Sequence, residues 1–192
     1  MLVIIGKSSS GKSTVEEILR EEHHYNKIIS YTTRPMRSGE KNGVDYHYIT
    51  KEEFKKLDKL KFFAESTDNY NNYYGISKKD CDENSVVVVE KHGLKQLRDS
   101  GIKIKAFYLY QSPIVRFKRM WKRGDDLKGI IQRILTDDIK FIGARKACDV
   151  ALKVVDGYEV ASAISMSDNL LNFASDVFKS AMTRDIIKEG DK

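Results

Sequence analysis

The sequence predicts an α/β fold, a mainly parallel sheet covered by helices, with a small subdomain inserted into the core. Three observations predict it. Short apolar runs suited to buried strands alternate with stretches whose apolar residues recur at helical spacing. The first run leads through a glycine- and serine-rich loop directly into a helical stretch. Residues 30–79 then break the rhythm; they are polar, aromatic-rich and turn-rich, and read as the insertion. At 192 residues the chain has the length of one domain with a proper core.

Leu2-Val3-Ile4-Ile5 is a four-residue apolar run, right for a buried parallel strand. It enters Gly6-Lys7-Ser8-Ser9-Ser10-Gly11-Lys12-Ser13, a full match to G-x-x-x-x-G-K-[ST], the P-loop. Gly6 and Gly11 permit backbone angles that other residues resist. Loop N–H groups can then cradle the phosphates of ATP at the positive end of the next helix, which makes Gly6, Ser8, Ser9, Ser10, Gly11, Lys12, Ser13 and Thr14 the candidate ATP contacts. Lys12 adds a mobile cation for the β- and γ-phosphates, and Ser13 a hydroxyl for magnesium. Val15, Ile18 and Leu19 share one face of that helix.

Further along, Thr50 and Glu53 form a capping box before a helix with an apolar stripe of Phe54, Leu57 and Leu60 and a solvated lysine face. Val86-Val87-Val88-Val89 is the most strand-like run, and Glu90 follows it. A carboxylate there can hold magnesium through a water, so Ser13 and Glu90 are the candidate metal contacts. Leu94–Arg98 reads as a short helix stopped near Gly101, and Lys103–Tyr110 as a strand. Ser112 caps the next helix, with Pro113 in its first turn. There Phe117, Met120 and Trp121 read as the inward face, and Arg116, Arg119 and Arg123 line another. Gly124-Asp125-Asp126 ends it, and Ile130, Ile131, Ile134 and Leu135 anchor the helix that follows. After Asp156 the chain reads as helical, with Leu170, Leu171, Val177 and Phe178 suitably spaced and Lys188–Lys192 as a frayed tail.

A second anion clamp precedes the capping box. Arg34 and Arg37 flank Pro35 in an extended or turning segment. Two guanidinium forks on a stiff loop suit a phosphate monoester, and Tyr46 with the pair Tyr73-Tyr74 can add hydroxyl donors. Two such sites imply a phosphoryl-transfer enzyme that holds two phosphate groups face to face.

The run from Ser30 to Tyr46, Ser-Tyr-Thr-Thr-Arg-Pro-Met-Arg-Ser-Gly-Glu-Lys-Asn-Gly-Val-Asp-Tyr, resembles the signature of the guanylate kinases, which phosphorylate GMP with ATP. The resemblance continues at Glu65 and Asn72-Tyr73-Tyr74-Gly75. It resumes weakly at Glu90–Gly93 and in the arginines from Arg119 to Arg133, and so covers roughly residues 1–155. It implies a P-loop core over 1–29, 80–118 and 134–192, an acceptor-binding subdomain at 30–79 and an arginine-rich lid at 119–133. By the same resemblance Arg34, Arg37, Tyr46 and Tyr74 grip the acceptor phosphate, while Ser30 and Glu65 read the guanine. Lys12 holds the donor phosphates, and Arg119, Arg123 and Arg133 close over the transferring group. A carboxylate reader is chemically sensible, because guanine presents two adjacent donors, N1–H and the N2 amino group.

Three departures stand out. Ile76 occupies the position after Gly75 where the family has a small hydroxyl residue, so Ser77 is the candidate substitute. Val88-Val89-Glu90-Lys91-His92-Gly93 replaces Asp-x-Asp-x-x-Gly, and Val154-Val155-Asp156 lacks the Asn of the family's Val-Asn-Asp. These bear on ribose, magnesium and base contacts. The expected reaction is transfer from ATP, with Mg2+, to GMP or dGMP. The phosphate nucleophile is already mostly ionised at neutral pH, with a second pKa of about 6, and needs no general base.

The net charge of +6 can signal nucleic acid, but the arginines have uses in the phosphate sites, so no nucleic-acid partner is expected. The longest apolar runs are too short to span a membrane, and the first strand begins at once, so no signal peptide is expected. Cys81 and Cys148 offer neither a disulfide framework nor metal spacing, and His23-His24 lack ligand partners. The expectation is a cytoplasmic enzyme, monomer or homodimer. Three other readings stay open: a (deoxy)nucleoside monophosphate kinase of different base choice, which Ile76 and Val88 allow; a guanylate-kinase-like binding module, against which Lys12 and Ser13 argue; and an ATPase switch, which leaves Arg34 and Arg37 unexplained.

Overall fold

Leu2–Ile5 forms strand β1, and all four side chains are almost wholly buried. That burial follows from its position at the centre of the main sheet. The computed structural model describes residues 1–69 and 72–169. The elements in order are β1, α1 (Lys12–Glu21), β2 (Asn26–Lys27), β3 (Tyr31–Thr32), β4 (His47–Tyr48), α2 (Lys51–Lys59), β5 (Phe63–Asn69) and β6 (Asn72–Ser77). Then come β7 (Ser85–Val88), α3 (Lys91–Asp99), β8 (Lys105–Tyr110), α4 (Pro113–Arg123), α5 (Leu127–Lys140) and β9 (Val150–Lys153). Residues 157–169 are helical and form α6.

Strands β2, β7, β1, β8 and β9 lie in that order in one sheet, and every pairing is parallel. The period of two along each strand divides the core into two layers. Val3, Ile5, Val87, Ala106 and Tyr108 face one side, against Leu94 and Leu97 of α3 and Phe141 after α5. Leu2, Ile4, Val86, Phe107 and Leu109 face the other, against Val15, Ile18 and Leu19 of α1 and Val160 and Ile164 of α6. Asp168 ties α6 to the sheet, accepting from the Tyr25 hydroxyl at 2.8 Å and pairing with Lys105.

Residues 31–77 build a second sheet, ordered β4, β3, β6, β5. Helix α2 covers one face of it, starting with the expected Thr50–Glu53 capping box. Phe54 stacks on Phe63 with centroids 4.5 Å apart and on Tyr73 at 5.4 Å. Between Phe63 and Glu65 the pairing with β6 slips, so that Phe63 opposes Ser77 while Glu65 opposes Ile76. The extra residue reverses the usual parity and turns Glu65 to the face away from Phe63.

Several element-level expectations need correction. Leu60 is exposed, so the stripe on α2 reduces to Phe54 and the half-buried Leu57. Helix α3 begins at Lys91 rather than Leu94, with Glu90 at its N-cap, and β8 begins at Lys105. On α4 the buried pair is Arg116 and Met120, one turn apart, while Trp121 lies outside, stacked on Phe117. On α5 the inward residues are Ile130 and Asp137, and Ile131 and Leu135 are exposed. The reason is common to both helices: an arginine and an aspartate take inward positions that hydrophobicity alone would deny them. Leu170, Leu171, Val177, Phe178 and Lys188–Lys192 lie outside the described residues.

Candidate active site

The P-loop joins β1 to α1 and touches its neighbours backbone to backbone. A Cβ at Gly6 would stand 2.2 Å from the Leu109 carbonyl oxygen, so only glycine fits there. Gly11 caps α1 in the left-handed region, at φ +105°. The Ser10 hydroxyl is buried with no hydrogen-bond partner among the described residues. Lys12 Nζ donates to the Lys7 carbonyl at 2.9 Å, folded back onto its own loop. Burial pulls its pKa down to about 8, against the attraction of Asp137 and Glu90 and with the repulsion of Arg116.

Ser13 and Thr14 are exposed at the start of α1. With Arg119, Arg123, Val154 and Gly157 they line an open cleft of about 400 Å3. Arg119 Nη1 also donates to the Ser9 carbonyl at 3.2 Å. Arg123 forms a fork with Asp125, and Arg133 Nη1 reaches the same carboxylate at 3.1 Å. Thus Arg119 and Arg123 border the cleft, whereas Arg133 is gathered onto Asp125 and is not among its walls.

Glu90 follows β7, the strand beside β1, and so stands on the same edge as the P-loop. Its charge is felt at both Lys12 and Glu65. Among the described residues no three His, Cys, Asp or Glu converge as a metal nest. The donors at hand are the Ser13 hydroxyl and the exposed Glu90 carboxylate, a sparse oxygen set that suits Mg2+, which usually binds through one or two protein oxygens plus phosphates.

The second cluster sits on the smaller sheet. Arg34 lies over the Tyr46 ring at 5.4 Å and the Tyr48 ring at 5.8 Å. Tyr46 and Tyr74 meet edge to face at 6.1 Å. Arg37 is exposed, and its charge reaches the Tyr46 hydroxyl, whose pKa burial and Tyr74 push up and the two arginines oppose. Ser30 is half-buried just before β3, its carbonyl accepting from His47 N–H at 2.9 Å.

Glu65 is only 7% exposed, and no hydrogen-bond donor meets its carboxylate among the described residues. It packs on Gly93 of α3, where a Cβ would come within 2.9 Å of Oε1. Burial, then the charge of Glu90, pushes its pKa to about 7. Ile76 opposes Glu65 across the sheet and shares its face with Tyr74, two residues before it on the same strand. Ser77 therefore points the other way, toward Phe63 and α2, fully buried and with its hydroxyl unpartnered among the described residues. This corrects the expectation that Ser77 replaces the missing base contact; strand alternation forbids it while Ile76 holds the inward position. The same alternation removes Tyr73 from the cluster and stacks it on Phe54.

Glu40, Asp137 and Asp138 were given no role by the sequence reading, and Arg116 was placed only on an arginine face. Glu40 accepts from Arg34 Nη2 at 2.7 Å and Nη1 at 3.0 Å, from Arg37 N–H at 2.7 Å and from the Tyr48 hydroxyl at 2.7 Å. Arg34, in the main, holds its pKa down to about 2. An internal carboxylate thus occupies the Arg34 fork, and its location in the Arg34–Tyr46 run was the available signal. Arg116 from α4 and Asp137 and Asp138 from α5 pack under the P-loop, with no local motif to mark them.

Comparison with known proteins finds relatives for this chain. The family described as guanylate kinase matches residues 1–140. A guanylate kinase of Neisseria meningitidis serogroup A is 34% identical over 144 residues, which are 71% of this chain and 70% of that protein. One from Fusobacterium nucleatum is 34% identical over 152 residues, 73% of this chain and 80% of that protein. Among solved structures, the guanylate kinase of Anaplasma phagocytophilum superposes with a TM-score of 0.63 at 24% identity, over 88% of this chain and 84% of that one. At that identity the likeness concerns the fold.

Proposed function

This chain belongs to the guanylate kinase family, phosphotransferases that make GDP from GMP with ATP, and we propose that it performs this reaction between the P-loop and the Arg34 cluster. The observation that supports the reading best is Glu65, a buried carboxylate with no donor of its own. The N1–H and N2 amino groups of guanine are the donor pair it lacks.

In this reading GMP enters with its phosphate on Arg34, Arg37, Tyr46 and Tyr74. Arg34 leaves Glu40 for the phosphate dianion. Ser30 assists Glu65 at the base, and Ile76 packs on it without a hydrogen bond. ATP lies with its phosphates in the loop N–H cradle from Gly6 to Thr14. Lys12 moves from the Lys7 carbonyl onto the β- and γ-phosphates. A phosphate oxygen of GMP, ionised at neutral pH, attacks the γ-phosphorus, and the bond to the β,γ-bridging oxygen breaks to release ADP. Arg119 and Arg123 neutralise charge on the transferring group, joined by Arg133 once it leaves Asp125. The Ser13 hydroxyl and the Glu90 carboxylate would hold Mg2+ brought with ATP, which would supply further charge neutralisation at the triphosphate. No general base is needed. Val88 stands where relatives are expected to carry a carboxylate near the ribose, so dGMP serves about as well as GMP.

A coupled assay of ADP release, with ATP and a panel of GMP, dGMP, IMP, AMP and dTMP, tests the assignment. GMP and dGMP should agree within a few-fold, and AMP and dTMP should be at least about a hundredfold poorer. AMP or dTMP as the best acceptor would overturn the guanine reading. A second experiment separates the two anion sites. Arg34→Ala and Arg37→Ala should each weaken GMP binding about ten- to a hundredfold, the 1.5–3 kcal/mol typical of a charge-assisted contact, with ATP affinity unchanged. Calorimetric titration of each ligand reads this directly, and equal losses for both would argue against a separate acceptor site.

A further inference from the structure

We propose that Arg116 and Asp137 act as a pair of positioning residues for the transfer, bracketing the backbone of one P-loop residue, Ser8, so that it stays in register with the arginine-bearing helix α4. The proposal rests on the P-loop being the donor site, as argued above, and assigns a task to two residues outside the recognised motif.

The bracket is complete on both sides of Ser8. Arg116 Nε donates to the Ser8 carbonyl at 2.8 Å, while Ser8 N–H donates to Asp137 Oδ2 at 2.6 Å. The two side chains close the ring, Arg116 Nη2 donating to the same Asp137 oxygen at 2.8 Å. Arg116 is 0% exposed and Asp137 7%. The P-loop, distant in sequence, therefore meets the consecutive helices α4 and α5 at one buried ion pair. Next to it Lys7 pairs with Asp138, so α5 holds two successive loop residues.

The contact lies where it can govern catalysis. Arg119, one turn beyond Arg116, reaches the next loop carbonyl, that of Ser9. Helix α4 thus tracks the carbonyls of Ser8 and Ser9 with two arginines at i and i+3, and its cleft-lining face is registered against the cradle. Phosphoryl transfer is almost entirely positioning and charge neutralisation, and a shift of about 1 Å can cost a hundredfold.

Stability alone is a poor reason to keep the pair. Buried salt bridges are often matched or bettered by apolar residues of similar volume, and fully buried Met120 and Ile130 occupy these same helices. Arg116 even leaves Nη1 buried without a hydrogen bond, with Asp138 Oδ1 3.6 Å away. What apolar residues cannot supply is an acceptor for the Ser8 N–H and a donor for the Ser8 carbonyl.

The test compares Asp137→Asn with the double variant Arg116→Met/Asp137→Val, measuring melting temperature, kcat and KM for each substrate. Asparagine keeps the size and an acceptor for Ser8 but removes the charge that holds Arg116. The expected result is a loss of about tenfold or more in kcat for both variants, with KM for GMP within about twofold of wild type. The double variant, free of an orphaned charge, should melt closer to wild type than Asp137→Asn does and yet remain slow. A folded double variant with wild-type kcat overturns the proposal. If the double variant does not fold, Asp137→Asn decides: an unchanged kcat, or a loss shared by KM for GMP, counts against positioning. Absence of GMP-dependent ADP release in the wild type would instead sink the functional reading itself, so the two failures are distinguishable.

Discussion

Lys12→Met is expected to lower kcat about a thousandfold while the chain stays folded. The size of the effect follows from the loss of a preorganised cation at the point where charge builds on the β,γ-bridge, and single donors of this kind are worth roughly a hundred- to a thousandfold. The unfolded chain should not gain from the change. Without ligand the Lys12 ammonium is partly desolvated, with its pKa pulled from 10.5 to about 8. The charged form is thus disfavoured by folding, a cost fully present below pH 8 and relieved as pH rises toward 10.5. Methionine removes that cost, so the variant should melt no lower than wild type at pH 7. ADP release measured beside a thermal melt checks both halves. Near-normal turnover in a folded variant would take the P-loop out of the mechanism.

Glu65→Gln should reduce kcat/KM for GMP about a hundred- to a thousandfold. The amide oxygen can still accept from guanine N1–H, but the amide NH2 then faces the N2 amino group, donor against donor. One charge-assisted bond is lost and one buried donor left unpaired, together about 3–4 kcal/mol. IMP, which lacks the N2 amino group, should lose less than GMP.

The same substitution should stabilise the ligand-free protein at neutral pH. The carboxyl pKa rises from 4.5 to about 7 on folding, mainly through burial. Its contribution to stability is most favourable below pH 4.5, declines as pH rises toward 7, and stays at its minimum above that. The span corresponds to at most about 3 kcal/mol. Thermal melts should show Glu65→Gln above wild type at pH 8 and level with it at pH 4.5. Equal melting at pH 8 would mean that the carboxylate is hydrated, not buried. In wild type, GMP binding should also weaken below pH 7, because Glu65 must give up its proton to accept both guanine donors.

The sequence by itself determined whatever depends on neighbouring residues. The P-loop, its strand and its helix are contiguous, and they appear as expected in β1 and α1. So do the Thr50–Glu53 capping box, the Ser112–Pro113 helix start and the Gly124 stop, because caps and left-handed turns are settled within one helical turn. The alternation of strands and helices carried the parallel sheet, since a right-handed crossover needs an intervening helix.

Tertiary structure decided what depends on register and on distant partners. Glu65 and Phe63 are two apart and by simple alternation would share a face. The irregular pairing between them sends Phe63 to α2 and Glu65 to Gly93, and the same register gives the inward position to Ile76 rather than Ser77. Glu40 pairs with the Arg34 fork, a contact between residues six apart that the turn of the intervening loop brings together. Arg116 and Asp137 belong to different helices, and no local pattern pairs them; they meet only where α4 and α5 pack beneath Ser8. A local pattern records which residue can cap a turn or approach a phosphate. The face that residue presents, and the charge it meets there, are set by the packing of segments that the sequence keeps far apart.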